Sequence, residues 1–191
     1  MTTKNMFSPR NSALIIMIAA AGLWRLIFTG FQTPLQGYTP IGAMALFGGC
    51  YFSDKWKAYL VPLLTFWLTD MILNSVLYYH KFTLFYPGFY WTYGSFALMV
   101  MIGSFIKKVN FKTFLIACIS ASLMHWVITD FGTWMVDGIY PHTATGLTLC
   151  YAAGLPFLQK MLVANLVFGG AMFGAFEWAK FKFPVLQASN A

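Results

Sequence analysis

Four ionisable residues, Arg25, Asp70, His125 and Asp130, lie inside long apolar stretches of the chain. An ionisable group at membrane depth is costly, and it usually faces the interior of a helix bundle or a water-filled cavity. Counted at 1.5 Å per residue from the ends of their stretches, all four are expected roughly 18–25 Å from one membrane face, in the same half of the bilayer. Arg25 and Asp70 are therefore predicted to compensate each other's charge, and Asn74 shares the helix face of Asp70.

The same half of the membrane contains further polar and aromatic candidates for a binding site. Trp134 and Asn165 lie near the ends of two later apolar stretches, and an aromatic-rich segment around residues 78–93 contributes Tyr86 and Trp91. Such aromatic residues form either a belt at the membrane interface or a lid that stacks on a flat or apolar ligand. We expect these side chains to line a cavity for a small solute, and a purely structural polar network is the alternative.

Motifs for catalysis or metal binding do not accompany these residues. The sequence has no G-x-S-x-G, H-E-x-x-H or paired-glutamate motif. His125 has no second histidine within helical reach, and the three cysteines lie far apart without a C-x-x-C pair. We therefore expect no enzymatic activity, no metal and no cofactor.

The composition indicates a membrane protein. Of 191 residues, 59% are hydrophobic and 9% are charged, whereas a soluble domain has roughly 25% charged residues. The basic residues behind the net charge of +7 are scattered at the ends of apolar runs, which is typical of topology signals and not of a nucleic-acid-binding face. The lipid bilayer is thus an expected partner, nucleic acid is not, and residues 1–191 are predicted to form a single transmembrane domain.

The apolar stretches predict an all-α integral membrane fold with six transmembrane helices. They cover residues 12–29, 40–52, 58–78, 90–106, 113–136 and 161–180. Residues 143–156 are also apolar but too short to cross, with glycine and proline near their ends, so they predict a short re-entrant or interfacial helix between the fifth and sixth spans. The glycine pairs at 48–49 and 169–170 are expected where neighbouring helices approach closely.

The distribution of charge sets the orientation of these helices. With both termini in the cytoplasm, only Lys81 and Lys160 fall outside, and Arg25 lies within a span. This is a strong positive-inside bias. The basic residues assigned to the cytoplasmic side are Lys4, Arg10, Lys55, Lys57, Lys107, Lys108, Lys112, Lys180 and Lys182. A cleavable signal peptide at the N-terminus is the competing interpretation, although the first apolar run is long enough to span.

Three segments resemble an uncharacterised bacterial family of proposed six-helix transport proteins. They are residues 38–52 (YTPIGAMALFGGCYF), 129–134 (TDFGTW) and 150–157 (CYAAGLPF). That family is itself similar to the S components of energy-coupling-factor transporters. The resemblance implies a multi-pass protein of the bacterial inner (cytoplasmic) membrane that binds a small-molecule substrate, of a vitamin-like or aromatic kind, at a site open to the outer face.

One difference from the S components concerns their partners. Many S components carry a small-xxx-small pattern in the first helix, where they dock a transmembrane coupling subunit with its ATPases. Here the alanines are consecutive, at 19–21, and residues 23 and 24 are Leu and Trp. The resemblance therefore leaves two possibilities open, docking to such a coupling module and action as a solitary transporter.

Overall fold

The computed structural model describes residues 8–187, which form six α-helices and no strand. The helices are α1 (Pro9–Gly30), α2 (Ile41–Tyr51), α3 (Lys55–Leu73), α4 (Phe89–Ser104), α5 (Phe111–Val136) and α6 (Ala144–Lys182). A π-helical turn, Asn74–Tyr78, continues α3, and a 3-10 turn, Pro184–Leu186, follows α6. Lys4, one of the residues assigned to the cytoplasmic side, lies outside the described residues.

Local sequence explains where several of these helices begin. Asn110 and Thr113 form a reciprocal capping box at the start of α5, in which the Asn110 side chain accepts a hydrogen bond from the Thr113 N–H at 2.9 Å. Thr143 caps α6 by accepting from the Gly146 N–H at 3.1 Å. These side chains satisfy backbone donors that have no partner inside the helix.

Four helical segments are long and apolar enough to cross a membrane. They are Pro9–Gly30, Lys55–Tyr78, Phe111–Val136 and Ala144–Lys182. The apolar helix α2 has only 11 residues and is therefore roughly 16 Å long, about half the thickness of the hydrocarbon layer. The structure thus agrees with an all-helical membrane protein, while α2 is shorter than the span predicted at 40–52.

Helix α2 lies at the centre of the bundle. Residues 41–49 and Tyr51 are all buried, as expected for a helix that is apolar on every side. Its neighbour α4 approaches so closely that a Cβ on Gly49 would overlap the Val100 carbonyl, and one on Gly103 would overlap the Leu46 carbonyl. The expectation that the glycine pair at 48–49 permits close helix packing is therefore confirmed.

One end of the bundle, which we call the basic end, is held together by Arg10. Its guanidinium donates to the carbonyls of Tyr51 at 2.8 Å and Leu186 at 2.7 Å. The Tyr51 hydroxyl in turn donates to Glu177 at 2.6 Å, and Glu177 also pairs with Lys180. These contacts place the start of α1, the end of α2 and the end of α6 together. The α2–α3 and α4–α5 connections lie at the same end. The basic residues in these connections and in the adjoining first turns of α3 and α5 are Lys55, Lys57, Lys107, Lys108 and Lys112.

The prediction of a separate short helix at residues 143–156 is wrong, because α6 runs without interruption from Ala144 to Lys182. Pro156 lies inside this helix, and Gly154 packs against α5, where a Cβ would overlap Asp130. Membrane helices tolerate such residues when neighbouring helices cover the weakened backbone. With 39 residues, α6 is roughly 58 Å long, so it must be tilted or extend beyond the hydrocarbon layer.

Candidate functional site

Arg25 and Asp70 form a buried ion pair between α1 and α3, which confirms their predicted charge compensation. Arg25 Nη2 lies 2.7 Å from Asp70 Oδ1, and the two side chains are 11% and 9% exposed. Arg25 Nη1 donates to Thr69 Oγ1 at 2.7 Å, and the Tyr93 hydroxyl of α4 donates to Asp70 Oδ2 at 3.1 Å. The guanidinium also lies over the Phe66 ring, 5.0 Å from its centroid. Because both charges have partners, this network connects three helices without needing a ligand.

Asn74 lies one turn beyond Asp70 and is buried, with 8% of its surface exposed. It begins the π-helical turn Asn74–Tyr78, which changes the direction of the following side chains. Tyr78 is consequently 60% exposed and does not join Asp70 and Asn74 on a buried face.

His125 of α5 faces α4 through a hydrogen bond between its Nδ1 and Ser95 Oγ, 2.6 Å apart. The single hydroxyl proton of Ser95 is donated to the Thr92 carbonyl at 2.7 Å. His125 Nδ1 must then be the donor to Ser95, and this tautomer leaves Nε2 as an acceptor. The imidazole also contacts the Phe96 ring at a centroid distance of 4.9 Å.

Three adjoining clefts run along one face of α5, and together we call them the α5 groove. Ser122, His125, Thr129 and Thr133 recur every three or four residues, so they lie on one side of the helix. The first and second clefts share His125, Thr129 and Asp130, and the second and third share Thr129 and Thr133. A continuous polar face in a chain this apolar is suited to a hydrophilic solute.

The first cleft has a volume of about 180 Å³ and lies between α5, α6 and the α1–α2 loop. Its charged residues are Asp130 and Lys160, and Trp126 and Phe157 provide aromatic surface. The indole N–H of Trp126 is buried and has no hydrogen-bond partner within residues 8–187. The remaining lining residues are Gly37, Thr39, Ser122, His125, Thr129, Leu158 and Met161.

The second cleft, about 320 Å³ in volume, lies between α4, α5 and the first half of α6. Asp130 separates it from the first cleft, and Gly154 allows the Asp130 carboxylate to lie directly against α6. Cys150 contributes to the wall while its thiol donates to the Asp130 carbonyl at 3.2 Å. The other lining residues are Thr92, His125, Thr129, Thr133, Tyr140, Ala153 and Phe157.

The third cleft, about 290 Å³ in volume, is covered by the aromatic loop between α3 and α4. Tyr86 and Trp91 line it, and Gly132 of α5 leaves space for the Trp91 ring. Burial raises the pKa of Tyr86 to about 12, so its hydroxyl remains a hydrogen-bond donor at neutral pH. Phe82, by contrast, is 75% exposed. The loop thus combines the expected lid residues with exposed rings of the kind found in an interfacial belt.

The structure divides the nine residues predicted for the site into two groups. His125, Asp130, Tyr86 and Trp91 line the α5 groove. The other five lie outside these three clefts: Arg25, Asp70, Asn74, Trp134 and Asn165.

Trp134 and Asn165 make structural contacts. The Trp134 indole donates to the Pro141 carbonyl at 3.0 Å and so holds the α5–α6 loop. Asn165 is completely buried, donates to Ser122 Oγ at 2.9 Å, and faces Gly42 of α2, where a Cβ would collide with its amide. Asn165 therefore supports the base of the first cleft through Ser122 without lining the cleft.

Sequence reasoning missed Lys160, Trp126 and Phe157 as lining residues of the first cleft. The polar face of α5 could have been found from the spacing of Ser122 and the threonines at 129 and 133, which is helical. Lys160 had no such signal, because its position in the cleft depends on the fold of the distant α1–α2 loop. A Cβ on Gly37 of that loop would lie 3.2 Å from the Lys160 ammonium.

A fourth cleft, which is apolar, lies between α1, the α1–α2 loop and α6. It has a volume of about 400 Å³ and is lined by Trp24, Leu35, Tyr38, Val163, Ala164, Val167 and Phe168. Within residues 8–187, no group of three or more His, Cys, Asp or Glu residues is placed to hold a metal ion. The α5 groove is therefore the stronger candidate for polar recognition.

Comparison with protein families gives one match, to a model described as a family of unknown function (DUF6580), over residues 5–186. No functionally curated protein and no solved structure matches the chain.

Proposed function

We propose that this chain, which belongs to the family of unknown function DUF6580, is the solute-binding component of a membrane transport system. The observation that carries the proposal is the α5 groove, a polar face within a bundle whose sequence is 59% hydrophobic. Polar groups at membrane depth are typical of substrate pathways. The protein would act as a binding and translocation component, without catalysis.

The proposed topology has six spans with both termini in the cytoplasm of a bacterial inner membrane. The basic end would then be cytoplasmic, as the positive-inside rule requires. The α5 groove would lie in the outer half, with Tyr86 and Trp91 of the aromatic loop closing it from outside. This arrangement is similar to that of an energy-coupling-factor S component, and the protein would act either with a coupling subunit and its ATPases or alone.

Labelling of single introduced cysteines tests the topology. In intact cells, a membrane-impermeant maleimide should label Lys81→Cys and should label Lys108→Cys only after permeabilisation. Both lysines are exposed. Cys50, which is only partly buried, is first replaced by alanine, and the chain with this replacement is the control, since Cys118 and Cys150 are 0% and 2% exposed. The reverse labelling pattern would overturn the proposed orientation.

Thermal-shift screening of the purified protein against vitamins, their precursors and other small solutes tests the function. A solute at 100 times its Kd stabilises the folded state by about 2.7 kcal/mol. For a chain of this size such a stabilisation corresponds to an increase in Tm of roughly 5–10 °C.

Two glycines of α6 provide matched variants for this screen. Gly154→Leu should abolish the stabilisation, because any side chain at this position displaces Asp130 in the groove. Gly170→Leu should retain it, since a Cβ there meets no atom within 4 Å among the described residues. The proposal is wrong if no solute stabilises the protein and Asp130→Ala leaves uptake unchanged in cells.

The closed network of Arg25, Asp70 and Tyr93 favours a second candidate, a structural or assembly subunit of a membrane complex. This network joins three helices, and both of its charged groups have partners among the described residues. A subunit of this kind would co-purify with one fixed partner in constant stoichiometry. Loss of folding in Asp70→Ala, together with an absence of solute binding by the native protein, would support this alternative.

A further inference from the structure

Asp130 and Lys160 place opposite charges in the same cleft without pairing with each other. Among the described residues, the ion pairs are Arg25–Asp70, Lys57–Asp54 and Lys180–Glu177. Asp130 and Lys160 belong to none of them, although both line the first cleft. An unpaired carboxylate inside a membrane helix is costly, so its presence calls for a compensating group.

The two charged groups, Asp130 of α5 and Lys160 of α6, contact different parts of the protein. The Asp130 carboxylate lies level with Gly154, because a Cβ there would overlap its Oδ1. Lys160 follows Gly154 by six residues, which is roughly 9 Å along the helix axis. Its ammonium lies beside Gly37 of the α1–α2 loop, whereas the Asp130 carboxylate lies against Gly154 of α6.

The surface between the charges is mainly apolar and aromatic. Trp126, Phe157 and Met161 lie along this part of the cleft. The indole N–H of Trp126, which is buried and has no hydrogen-bond partner within residues 8–187, lies near Gly154, at the Asp130 end of the cleft. A cleft of about 180 Å³ between these side chains fits a small solute with an apolar body.

We infer that the solute of the first cleft is a small zwitterion, with a cationic group bound by Asp130 and an anionic group, such as a carboxylate, bound by Lys160. This inference rests on the proposed solute-binding function and adds the chemical class of the solute. Opposite charges that line one cleft without pairing with each other select a molecule whose own charges lie at opposite ends. An ω-amino carboxylate or a dipeptide has this form, whereas an α-amino acid carries both charges on one carbon.

Binding of matched probes to the purified protein in lipid nanodiscs tests this class. The probes are 4-aminobutyrate, 6-aminohexanoate, 8-aminooctanoate and the dipeptide glycyl-phenylalanine, with hexanoate and hexylamine as singly charged analogues. At least one of the longer zwitterions should raise the Tm, and neither singly charged analogue should do so at the same concentration.

Charge-removing variants test the residue assignment. Asp130→Asn and Lys160→Gln should each weaken binding of the zwitterion by at least tenfold, since each leaves one ligand charge unpaired. Asp130→Asn should also shift the preference toward hexanoate, and Lys160→Gln toward hexylamine. Lys81→Gln, which removes an exposed lysine from the aromatic loop, should bind as the unmodified protein does. The Tm of each variant without ligand reports whether its fold is intact.

The outcomes separate this inference from the function on which it rests. One outcome is that a neutral or singly charged solute binds, no zwitterion binds, and Gly154→Leu blocks the binding. This result would refute the assignment of the solute as a zwitterion but would leave the solute-binding function standing. An unchanged charge preference in Asp130→Asn and Lys160→Gln would likewise overturn it. If no solute of any class binds, the proposed function and the inference both fail.

Discussion

Breaking the Arg25–Asp70 pair from one side, as in Asp70→Leu, should destabilise the protein more than the loss of any other polar contact described above. Among residues 8–187, leucine leaves the Arg25 guanidinium, which is 11% exposed, with Thr69 as its only hydrogen-bonding side chain. Breaking a buried ion pair from one side costs about 3–5 kcal/mol. For a chain of this length, that loss corresponds to a fall in Tm of roughly 6–20 °C. Arg25→Met should have a similar effect, because the Asp70 carboxylate then retains, within the described part of the chain, only its hydrogen bond from Tyr93.

The double variant Arg25→Met/Asp70→Leu should recover most of this loss. It removes both charges and fills their space with apolar side chains, and such a replacement is often neutral or stabilising. Tyr93→Phe serves as a control, since it removes one hydrogen bond of 3.1 Å and should cost only about 1 kcal/mol.

Size-exclusion chromatography of detergent extracts after heating measures these effects for all four variants. A double variant that loses as much stability as the two single variants combined would refute the reasoning, because the two charges would then not interact. A double variant that folds stably but no longer binds any solute would instead place the pair in the binding site.

Three further predictions concern packing and exposure. Gly49→Ala should lower the Tm, because its Cβ would overlap the backbone of α4. Gly170→Ala should leave the Tm unchanged or raise it, because it removes a flexible residue from open helix surface. Equal effects of the two substitutions would contradict the close packing of α2 and α4. Arg10→Met should lower the Tm in the same assay, since hydrogen bonds from a charged donor are worth about 1.5–3 kcal/mol each and Arg10 makes two to carbonyls. Cys118 and Cys150 should react with maleimide only after denaturation, as both are buried, and mass spectrometry of the labelled native protein checks this.

Much of the helical framework could be predicted from sequence because it depends on local chemistry. The start of α5 follows from the capping pair Asn110 and Thr113, and the ends of α1 and α4 fall close to the predicted limits. The Arg25–Asp70 pair could also be predicted, because a charge inside a membrane helix requires a partner and only one arginine lies in a span predicted from the sequence.

The site itself depended on contacts that sequence does not contain. Gly154 and Pro156 were interpreted as the end of a short helix, although Gly154 is needed so that Asp130 can approach α6. Lys160 was assigned to an outer connection, but it belongs to α6 and reaches the first cleft beside the α1–α2 loop. Both errors arise from tertiary packing between segments far apart in the chain, which local propensity cannot anticipate.

The central position of α2 also constrains the order in which the protein is assembled. An 11-residue helix is too short to be inserted as an independent span, because the ends of its backbone would remain unsatisfied in lipid. The surface that covers Gly49 is provided by Val100 of α4, which is synthesised about fifty residues later. Helix α2 can therefore reach its buried position only after α3 and α4 have entered the bilayer beside α1. The centre of the mature protein is thus among the last parts to be enclosed.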